Sequence, residues 1–248
     1  MSQNELAGAA ALVTGASRGL GRGIVTALSA AGAQVVGVAR DRGALDELRA
    51  ELGGSFTAVS ADAADPNVAG QLIDAWRPAI LVLNAGATPL PRSIQHHTWQ
   101  TFSRNWDVDV AHAFHWTREA LLAPLAPGST VIALSSGAAV FGSPLSGGYA
   151  GAKAAIRFLT AYAAEESRRD GLSIRFVSLL PQLTSATQLG AVFAAAYAAR
   201  EGAAAAARTS GPPLTPEQAG QAITELITSP GYDQDAYLLT TAGLRPLP

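Results

Sequence analysis

The chain has 248 residues, of which 48% are hydrophobic and 15% are charged. Such a composition is typical of a folded globular protein and excludes a disordered one. The formal net charge is −2, from 17 basic and 19 acidic side chains, and no basic block or stripe indicates a nucleic-acid-binding surface. There is no cysteine, which excludes disulfides, thiolate nucleophiles and zinc sites with cysteine ligands.

The beginning of the chain and the distribution of apolar residues favour a soluble, cytoplasmic protein. The first ten residues, MSQNELAGAA, lack the basic and then apolar pattern of a secretory signal. No apolar run reaches the roughly 18 residues that span a bilayer. The nearest approach, Ala191 to Ala207, is interrupted by Arg200, Glu201 and Gly202.

Short apolar runs alternate with longer helical patterns throughout the chain. Strands are predicted at Ala10–Gly15, Ala33–Arg40, Ser55–Asp62, Ala79–Gly86, Ser129–Ser136, Leu172–Leu180 and Ala236–Gly243. Helices are predicted at about Gly21–Ala31, Leu45–Leu52, Pro66–Trp76, Thr98–Leu122, Tyr149–Arg169 and Pro216–Ile227. Strands that are apolar on both faces and separated by helices indicate a parallel sheet covered on two sides. We therefore expect an α/β fold, a single Rossmann-like doubly wound parallel sheet of about seven strands flanked by helices, over residues 1–248.

The segment from Gln182 to Pro213 differs in composition from the rest of the chain. It is rich in Ala, Gly, Thr and Ser, and it ends in two prolines. It follows the carboxyl end of a strand, which is the edge where ligands bind in doubly wound sheets. We interpret residues 182–213 as a lid over a substrate pocket, with a pair of surface helices as the alternative.

The sequence VTGASRGLGRGI, Val13 to Ile24, joins the first predicted strand to the first helix. Gly15, Gly19 and Gly21 stand where the backbone must turn sharply and approach a ligand closely. The helix that follows presents unpaired N–H groups and the positive end of its dipole, both of which favour a phosphate. This glycine turn is therefore predicted to bind the phosphates of a dinucleotide.

The end of the second predicted strand bears on which dinucleotide would bind. A carboxylate there would hold the ribose 2′-OH of NAD, but this strand ends in GVAR, with Ala39 followed by Arg40. Arg40, and Arg18 inside the glycine turn, would bind the 2′-phosphate of NADP through charge-assisted hydrogen bonds. Asp41 follows Arg40 and would either pair with it or take the ribose itself. These residues favour NADP(H) and leave NAD(H) open.

A third pattern joins a strand end to a helix start. Ser136 ends a predicted strand, Tyr149 follows thirteen residues later in the sequence YAGAK, and Lys153 lies four residues further on. Residues four apart share one face of a helix. A hydroxyl, a phenol and an ammonium are therefore expected near the ligand edge of the sheet.

These patterns, taken in order, resemble the short-chain dehydrogenase/reductase family over essentially the full length of the chain. The motifs that carry the resemblance are the Thr-Gly-x-x-x-Gly-x-Gly turn at Thr14–Gly21, an Asp after the third strand at Asp62, the Asn-Ala-Gly at Asn84–Gly86, and the Ser…Tyr-x-x-x-Lys set of Ser136, Tyr149 and Lys153. The resemblance implies an oxidoreductase in which a nicotinamide dinucleotide carries the hydride.

The resemblance also implies a role for each matching catalytic residue. Tyr149 would be the general acid for carbonyl reduction, or the general base for alcohol oxidation. A free phenol has a pKa of about 10, and an ammonium such as that of Lys153 favours the ionised phenolate at lower pH. Lys153 would also hold the nicotinamide ribose, and Ser136 would donate a hydrogen bond to the substrate oxygen, where charge develops. Ser135 is the less favoured alternative to Ser136.

Further residues are expected to bind the cofactor by the same resemblance. Asp62 would meet the adenine ring, and Asn84 would support the cofactor near its ribose. The complete expected set is Gly15, Ser17, Arg18, Gly19, Leu20, Gly21, Arg40, Asp62, Asn84, Ala85, Gly86, Tyr149, Lys153, Pro181 and Thr184.

The chain departs from the family pattern at the position of a catalytic Asn, which helps to hold a proton-relay water. Here the stretch reads VDVAHAF, and Asp109 takes that place. An ionised Asp accepts hydrogen bonds but does not donate them. It would instead pair with Lys153, stabilise the ammonium and weaken its effect on Tyr149. Asn105, one turn earlier, is a more distant candidate for the catalytic position.

A second departure follows the sixth predicted strand. The family's Pro-Gly becomes Pro181 followed by Gln182. Thr184, Ser185 and Thr187 are candidates to bind the nicotinamide amide or the pyrophosphate, with Thr184 preferred and Thr187 its rival.

Two other features concern metals and subunits. His112 and His115 lie three residues apart on a predicted helix, but no acidic or cysteine cluster accompanies them. Helix-surface or interface packing is preferred for both, and no metal site is predicted. The helices that carry Asp109 and Tyr149 form the subunit interface in many family members, which implies a homodimer or a homotetramer.

The sequence thus favours an NADP(H)-dependent oxidoreductase that acts on a small ketone, aldehyde or secondary alcohol, with reduction as the preferred direction. The loops after Gly86, Gly137 and Pro181 would shape the substrate pocket. A 3-oxoacyl-carrier-protein reductase is the alternative subtype, weakened because no basic patch for an acidic carrier is evident. A dinucleotide-binding sensor or scaffold without turnover is the alternative of another class, and Asp109 is the residue that motivates it.

Overall fold

The computed structural model describes residues 5–202 and 213–247 of the chain. Its strands are β1 (Ala10–Thr14), β2 (Gln34–Ala39), β3 (Phe56–Ser60), β4 (Ile80–Leu83), β5 (Thr130–Leu134), β6 (Arg175–Pro181), β7 (Ala236–Thr240) and β8 (Gly243–Pro246). Its α-helices are α1 (Gly19–Ala30), α2 (Arg42–Leu52), α3 (Pro66–Trp76), α4 (Trp99–Asn105), α5 (Ala111–Leu122), α6 (Ala138–Phe141), α7 (Gly148–Arg169), α8 (Gln188–Glu201) and α9 (Pro216–Thr228). Short 3₁₀ turns lie at Gly53–Ser55 and Ile94–His96, and a π-helical turn lies at Trp106–Val110.

The strands form one sheet in the order β3-β2-β1-β4-β5-β6-β7-β8. Neighbouring strands from β3 to β7 are parallel, and β1 lies between β2 and β4, where the direction of winding changes. This confirms the predicted doubly wound sheet. Ligands bind at the carboxyl ends of the strands beside such a switch point.

The sheet has one strand more than the sequence predicted. The expected last strand, Ala236–Gly243, ends at Thr240, and the chain then turns back at Gly243, whose φ of +101° favours glycine. β8 follows and runs antiparallel to β7, with Leu239 opposite Leu244. Because its outer residues are exposed, β8 lacks the continuous apolar run that identified the other strands.

Adjacent residues of each central strand face opposite sides of the sheet, and both sides are buried. Val13 belongs to a core formed with α1, α2 and α9, whereas Leu12 belongs to a second core formed with α3, α5 and α7. Trp116 is fully buried in the second core, where its indole N–H donates to the carbonyl of Ala63 at 2.9 Å. The sheet is thus held from both faces, and its carboxyl edge is left for the site.

The long predicted helix at Thr98–Leu122 has an irregular middle. Thr98 starts α4 through a capping box with Thr101, and the π-helical turn then joins α4 to α5. A π-helical turn inserted in an α-helix is often found at a functional site, and this one carries Asp109.

The predicted lid is in part a helix. Residues 182–202 leave the end of β6 and form α8, which Thr187 caps by accepting a hydrogen bond from the Gly190 N–H at 3.1 Å. Residues 203–212 of the predicted lid lie outside the described residues. Within the described residues, no helix is both long enough and apolar enough to cross a membrane.

Candidate active site

A cleft of about 890 Å³ lies at the carboxyl edge of the sheet, above the switch point beside β1. It brings together almost all of the residues that the sequence predicted for the site. Those that line it are Gly15, Ser17, Arg18, Gly19, Leu20, Arg40, Asp62, Asn84, Ala85, Gly86, Asp109, Ser136, Tyr149, Lys153, Pro181 and Thr184. Gly21 does not line it.

The glycine turn owes its shape to steric limits. Gly15 and Gly19 have φ values of +67° and +54°, in the region that favours glycine. A Cβ on Gly21 would lie 2.1 Å from the Gly15 carbonyl oxygen, so Gly21 closes the turn against Gly15 instead of meeting a ligand. No side chain of the described residues caps the start of α1. The first N–H groups of α1 are thus left without a side-chain cap, and the binding of a phosphate by this helix end stays a prediction.

Asn84 fastens this turn to the end of β4. Its side-chain amide donates to the carbonyls of Thr14 and Gly15, both at 3.1 Å. The backbone N–H groups of Asn84 and Ala85 donate in turn to the Thr14 hydroxyl at 3.0 and 3.1 Å. Asn84 thus acts on the shape of the turn, while its direct support of a cofactor stays a prediction.

His112 completes this network from α5 and was not predicted as part of the site. Its Nε2 lies 3.0 Å from the Thr14 hydroxyl oxygen, and the side chain is 1% exposed. Burial, and then the nearby Lys153 and His115, lower the pKa of His112 to about 3, so the imidazole is neutral at physiological pH. The preferred interpretation of helix-surface or interface packing was therefore wrong for His112, because its side chain is buried within the chain. Its position three residues after Asp109, on the same helix face, is the signal that places it beside the site.

The far end of the cleft carries the charged groups expected near a dinucleotide's adenosine. Arg40 follows β2 and lines the cleft, while the Arg18 guanidinium donates to the side-chain oxygen of Gln188 in α8 at 2.8 Å. The Asp41 carboxylate caps α2 by accepting from the Ala44 N–H at 3.1 Å. Asp41 is thereby committed to the start of its own helix, and no ion pair between Asp41 and Arg40 forms within the described chain.

Tyr149 and Lys153 lie in the first turns of α7 and are nearly buried, at 8% and 6% exposure. The Lys153 Nζ lies 5.7 Å from the centroid of the Tyr149 ring and donates to the Leu134 carbonyl, the last of β5, at 3.1 Å. Ser135 donates its hydroxyl hydrogen to the Lys153 carbonyl at 2.7 Å. Ser136 instead accepts from the Ala138 N–H at 3.2 Å, which leaves its hydroxyl able to donate to a substrate.

Asp109 forms an ion pair with Lys153 beneath the cleft, with 3.2 Å between Oδ2 and Nζ. The Asp109 Oδ1 accepts hydrogen bonds from the Ala87 N–H at 2.7 Å and the Asn105 amide at 3.4 Å. A Cβ on Gly86 would lie 2.9 Å from Oδ2, so any larger residue there would displace the Asp109 carboxylate from its present position. The Asn105 amide also donates a hydrogen bond to the Ala87 carbonyl at 2.9 Å, so Asn105 contacts both Asp109 and the backbone that binds Asp109.

The charge of Lys153 is well stabilised. Burial works against the ammonium, but the Asp109 carboxylate and the Tyr149 phenol outweigh burial, and the pKa of Lys153 is raised above its usual value. The Asp109 Oδ2 has no well-directed hydrogen bond among the described residues, so the contact is chiefly a pairing of charges.

The threonines after β6 are less free than the sequence suggested. The Thr184 hydroxyl donates to the Leu214 carbonyl at 2.7 Å and accepts from the Ala186 N–H at 3.2 Å. Thr187 lines the cleft as well, but its hydroxyl caps α8. A role for Thr184 in binding the cofactor stays a prediction, and it is supported by the fact that Thr184 lines the cleft.

Several residues of the cleft were not predicted individually. They belong to the segment after β5 or to the beginning of the predicted lid, and they are Phe141, Ser143, Pro144, Leu183, Gln188, Phe193 and Tyr197. The two aromatic side chains of α8 are four residues apart in an alanine-rich helix, which was the available signal. Among residues 5–202 and 213–247, no three His, Cys, Asp or Glu side chains are grouped so that they would hold a metal ion.

The fold and the cleft are those of the short-chain dehydrogenase/reductase class of oxidoreductases. The family described as short chain dehydrogenase matches residues 9–197, and the chain belongs to that family. This confirms the resemblance drawn from the glycine turn and the Ser…Tyr-x-x-x-Lys set.

Individual relatives agree with the family. An L-xylulose reductase of Mesocricetus auratus is 36% identical over 129 residues, 51% of this chain and 52% of that protein. Carbonyl reductase [NADPH] 2 of Sus scrofa is 30% identical over 161 residues, 64% of this chain and 65% of that protein. The matches to these curated relatives thus span between about half and two thirds of the relatives' length.

Solved structures extend the likeness to nearly the whole chain. The structure of 3-ketoacyl-(acyl-carrier-protein) reductase from Brucella melitensis complexed with NADH has a TM-score of 0.75 and 26% sequence identity, over 92% of this chain and 93% of that one.

The ion pair makes a prediction about stability. Lys153→Met is expected to lower the free energy of unfolding at pH 7 by about 3 kcal/mol, because it leaves the Asp109 carboxylate buried without its counter-charge. Adding Asp109→Asn to this variant should restore most of the loss, since the orphaned charge is then removed. Urea denaturation followed by circular dichroism measures the free energy of unfolding of the wild type, of Lys153→Met, of Asp109→Asn and of the double variant.

The control is Asp107→Asn, because Asp107 lies in the same π-helical turn but is exposed. Since the pKa of Lys153 is raised in the folded state, the pair stabilises the fold fully below the usual lysine value of 10.5, and this contribution is lost as the pH rises through the folded value. Losses that simply add in the double variant would contradict a stabilising pair.

Proposed function

We propose that the chain is an NADP(H)-dependent oxidoreductase that reduces the carbonyl of a ketone or aldehyde to an alcohol, or catalyses the reverse reaction. One observation carries the proposal: Ser136, Tyr149 and Lys153 line the same cleft as the glycine turn. A proton donor, a hydrogen-bond donor and an anion-binding helix end thereby share one space. Fold alone would not assign an activity.

The residues of the cleft fit a nicotinamide dinucleotide. The glycine turn offers the uncapped start of α1 to a pyrophosphate. Asp62 and Arg40 would hold the adenosine portion, and Lys153 would hold the nicotinamide ribose. When bound, the reduced nicotinamide would supply a hydride, that is, a proton with two electrons, to the carbonyl carbon.

Tyr149 would supply the proton that balances the hydride. As the carbonyl carbon gains the hydride, the π electron pair moves to the carbonyl oxygen, and that oxygen takes the phenol proton of Tyr149. Ser136 would donate a hydrogen bond to the same oxygen, where negative charge develops. The neighbouring ammonium of Lys153 would stabilise the Tyr149 phenolate that remains, until this phenolate takes a proton from solvent.

Asp109 would give this chain a modified version of that arrangement. Its carboxylate holds the Lys153 ammonium in place and keeps it charged. It also offsets part of the positive charge that acts on Tyr149, because the carboxylate lies 3.2 Å from the ammonium and its field opposes that of the ammonium. We infer that Asp109 weakens the effect of Lys153 on the ionisation of the Tyr149 phenol and, in the same contact, fixes the position of the Lys153 side chain.

The preference for NADP(H) rests on charge at the end of β2. Arg40 lies there without a competing carboxylate, because Asp41 caps α2, and Arg18 lines the same cleft. Guanidinium groups bind phosphate in a fork geometry that a ribose hydroxyl does not match. The name of the Sus scrofa relative includes NADPH, whereas the Brucella melitensis structure contains NADH.

Further expectations belong to the same proposal. The chain would work as a single catalytic domain over residues 1–248 in the cytoplasm, with the segment 182–213 as its lid. It would act as a homodimer or homotetramer, which the exposed aromatic side chains on the outer faces of α4, α5 and α7 support. These are Trp99, Phe114, Phe158 and Tyr162.

A dinucleotide sensor without turnover is the competing function, and the Asp109–Lys153 pair is the observation that favours it. In that case the chain would bind NADPH but leave carbonyl compounds unchanged. The experiment below separates the two.

Tyr149→Phe is expected to lower kcat for NADPH-dependent carbonyl reduction by about 10³-fold, because the proton donor is lost while the ring stays. The Kd for NADPH should change little. Loss of NADPH absorbance gives the rate, and fluorescence titration gives the Kd. Tyr162→Phe is the matched control, since Tyr162 lies on the same helix but is 59% exposed. Tight NADPH binding by the wild type with no turnover of any carbonyl compound would favour the sensor.

Arg40→Ser is expected to raise the Kd for NADPH by at least about tenfold, because a charge-assisted hydrogen bond to the 2′-phosphate is lost. The Kd for NADH should change by less than about twofold, since NADH lacks that phosphate. Calorimetric titration with each nucleotide checks both values.

The control for this variant is Arg42→Ser. Arg42 lies two residues further on, where it pairs with Asp46 along α2 at 3.7 Å. Equal weakening of NADPH and NADH binding in Arg40→Ser would contradict the proposed role of Arg40.

A further inference from the structure

One end of the cleft has an aromatic wall that the reaction itself does not require. Phe193 and Tyr197, four residues apart in α8, face the cleft together. The Phe193 ring lies 5.8 Å from the Tyr149 ring and 6.3 Å from the Tyr197 ring, stacked on the latter at 26°. Phe193 is only 4% exposed. The wall therefore begins at the catalytic phenol and extends away from it.

Hydrogen bonds fix this wall to the opposite side of the cleft. The Tyr197 hydroxyl bonds to the hydroxyl of Ser143, which follows α6, and Ser143 bonds in turn to Ser146 at 3.0 Å. The Arg18–Gln188 hydrogen bond ties the other end of α8 to the glycine turn. The position of the aromatic rings is thus set before any substrate arrives.

Apolar side chains also form the rim facing the wall. Phe141 in α6 is 70% exposed and Leu183 after β6 is 42% exposed, and both line the cleft together with Pro144. Large apolar side chains grouped at the mouth of a cleft mark a surface that another apolar group covers.

The charges of the cleft are distributed away from this end. Of the cationic side chains that line it within the described residues, Arg18 and Arg40 lie by the glycine turn and β2, and Lys153 is paired with Asp109. The charged residue that α8 adds beyond the aromatic wall is Glu201. Among the described residues that line this end of the cleft, no cation would pair with an anionic substrate, and Glu201 would repel one.

The hydroxyl groups at this end are also engaged with one another. Ser143, Ser146 and Tyr197 form a chain of mutual hydrogen bonds. A substrate rich in hydroxyl groups would have to break these bonds or lose its own bonds to water, and a polar group buried without a partner is costly.

We propose that the substrate is an uncharged carbonyl compound with a bulky ring attached to the carbonyl carbon, bound with that ring against Phe193, Tyr197 and Phe141. The inference rests on the proposed reductase function and names its substrate class. The carbonyl oxygen points to Tyr149 and Ser136, and the ring extends along α8. Compounds that are small, charged or polyhydroxylated lack the group that fills this space.

The first test compares four carbonyl compounds with NADPH: 1-tetralone, butanone, dihydroxyacetone and pyruvate. The kcat/KM for 1-tetralone is expected to exceed that for butanone by at least about 100-fold, because the fused ring buries several more carbon atoms. Dihydroxyacetone and pyruvate should be no better than butanone.

The second test uses variants of the wall. Phe193→Ala is expected to reduce the ratio of kcat/KM values for 1-tetralone and butanone by at least about tenfold. This ratio does not depend on how much of the protein folds. Phe193→Leu, which keeps an apolar side chain of similar length, should reduce the ratio less. Trp76→Ala is the control, since Trp76 is 39% exposed at the end of α3 and does not line the cleft.

A third measurement does not need turnover. Titration of 1-tetralol into the Tyr149→Phe variant, which lacks the catalytic phenol and is saturated with NADP⁺, is expected to show binding with a negative heat-capacity change, the mark of apolar burial. Adding Phe193→Ala to this variant should weaken this binding by at least about tenfold.

The outcomes separate the substrate class from the function. Faster Tyr149-dependent turnover of butanone, dihydroxyacetone or pyruvate than of 1-tetralone would overturn the substrate class and leave the reductase standing. If no compound turns over while NADPH binds, the reductase function is wrong. The 1-tetralol titration then still shows whether the aromatic wall binds a ring compound. Binding of 1-tetralol that Phe193→Ala weakens would support the aromatic wall as its site, and absence of binding would overturn it.

Discussion

The buried ion pair between Lys153 and Asp109 is the interaction on which the rest of the site depends. It joins the start of α7 to the π-helical turn, and the same ammonium binds the last carbonyl of β5 at Leu134. Charges removed from water are costly unless each is paired and hydrogen-bonded. The pair therefore requires the Ala87 N–H on the carboxylate and the space that Gly86 leaves beside it. Through Lys153, this arrangement fixes the helix that carries the proposed proton donor.

A second polar network holds the proposed cofactor side. Thr14, at the end of β1, binds the backbone of Asn84 and the imidazole of His112, and Asn84 binds back to the glycine turn. His112 lies one helical turn after Asp109, so the two networks meet at the junction of the π-helical turn and α5. The imidazole there is neutral, because burial and then the nearby Lys153 disfavour its charged form. One side of the cleft is thus formed by hydrogen-bonded polar side chains, and another side is formed by the aromatic side chains of α8.

Local patterns predicted the sheet and the glycine turn, because each depends on residues close in sequence or on strands with strong apolar runs. The pairing of Asp109 with Lys153 joins residues far apart in sequence, and it was predicted from the departure of Asp109 from the family pattern. Helical spacing from Asp109 indicates that His112 lies near the site, but its burial depends on the contact of α5 with Thr14 of β1. Gly21 was assigned to the cofactor, whereas the absence of a Cβ there makes room for the Gly15 carbonyl in the same turn. β8 was missed because an edge strand with exposed residues has no apolar run. The aromatic wall of Phe193 and Tyr197 was missed because the sequence does not show that α8 packs beside the cleft, where these two side chains line it.

The pH dependence of alcohol oxidation by wild type and Asp109→Asn tests the central claim most directly, since ionised phenol is the base in that direction. If Asp109 offsets the charge of Lys153, removing its negative charge favours the phenolate, and the rise of kcat/KM with pH shifts to lower pH. Asp107→Asn should leave the profile where it is. A profile that stays in place in Asp109→Asn, or moves to higher pH, would contradict the claim that this ion pair sets the behaviour of the site.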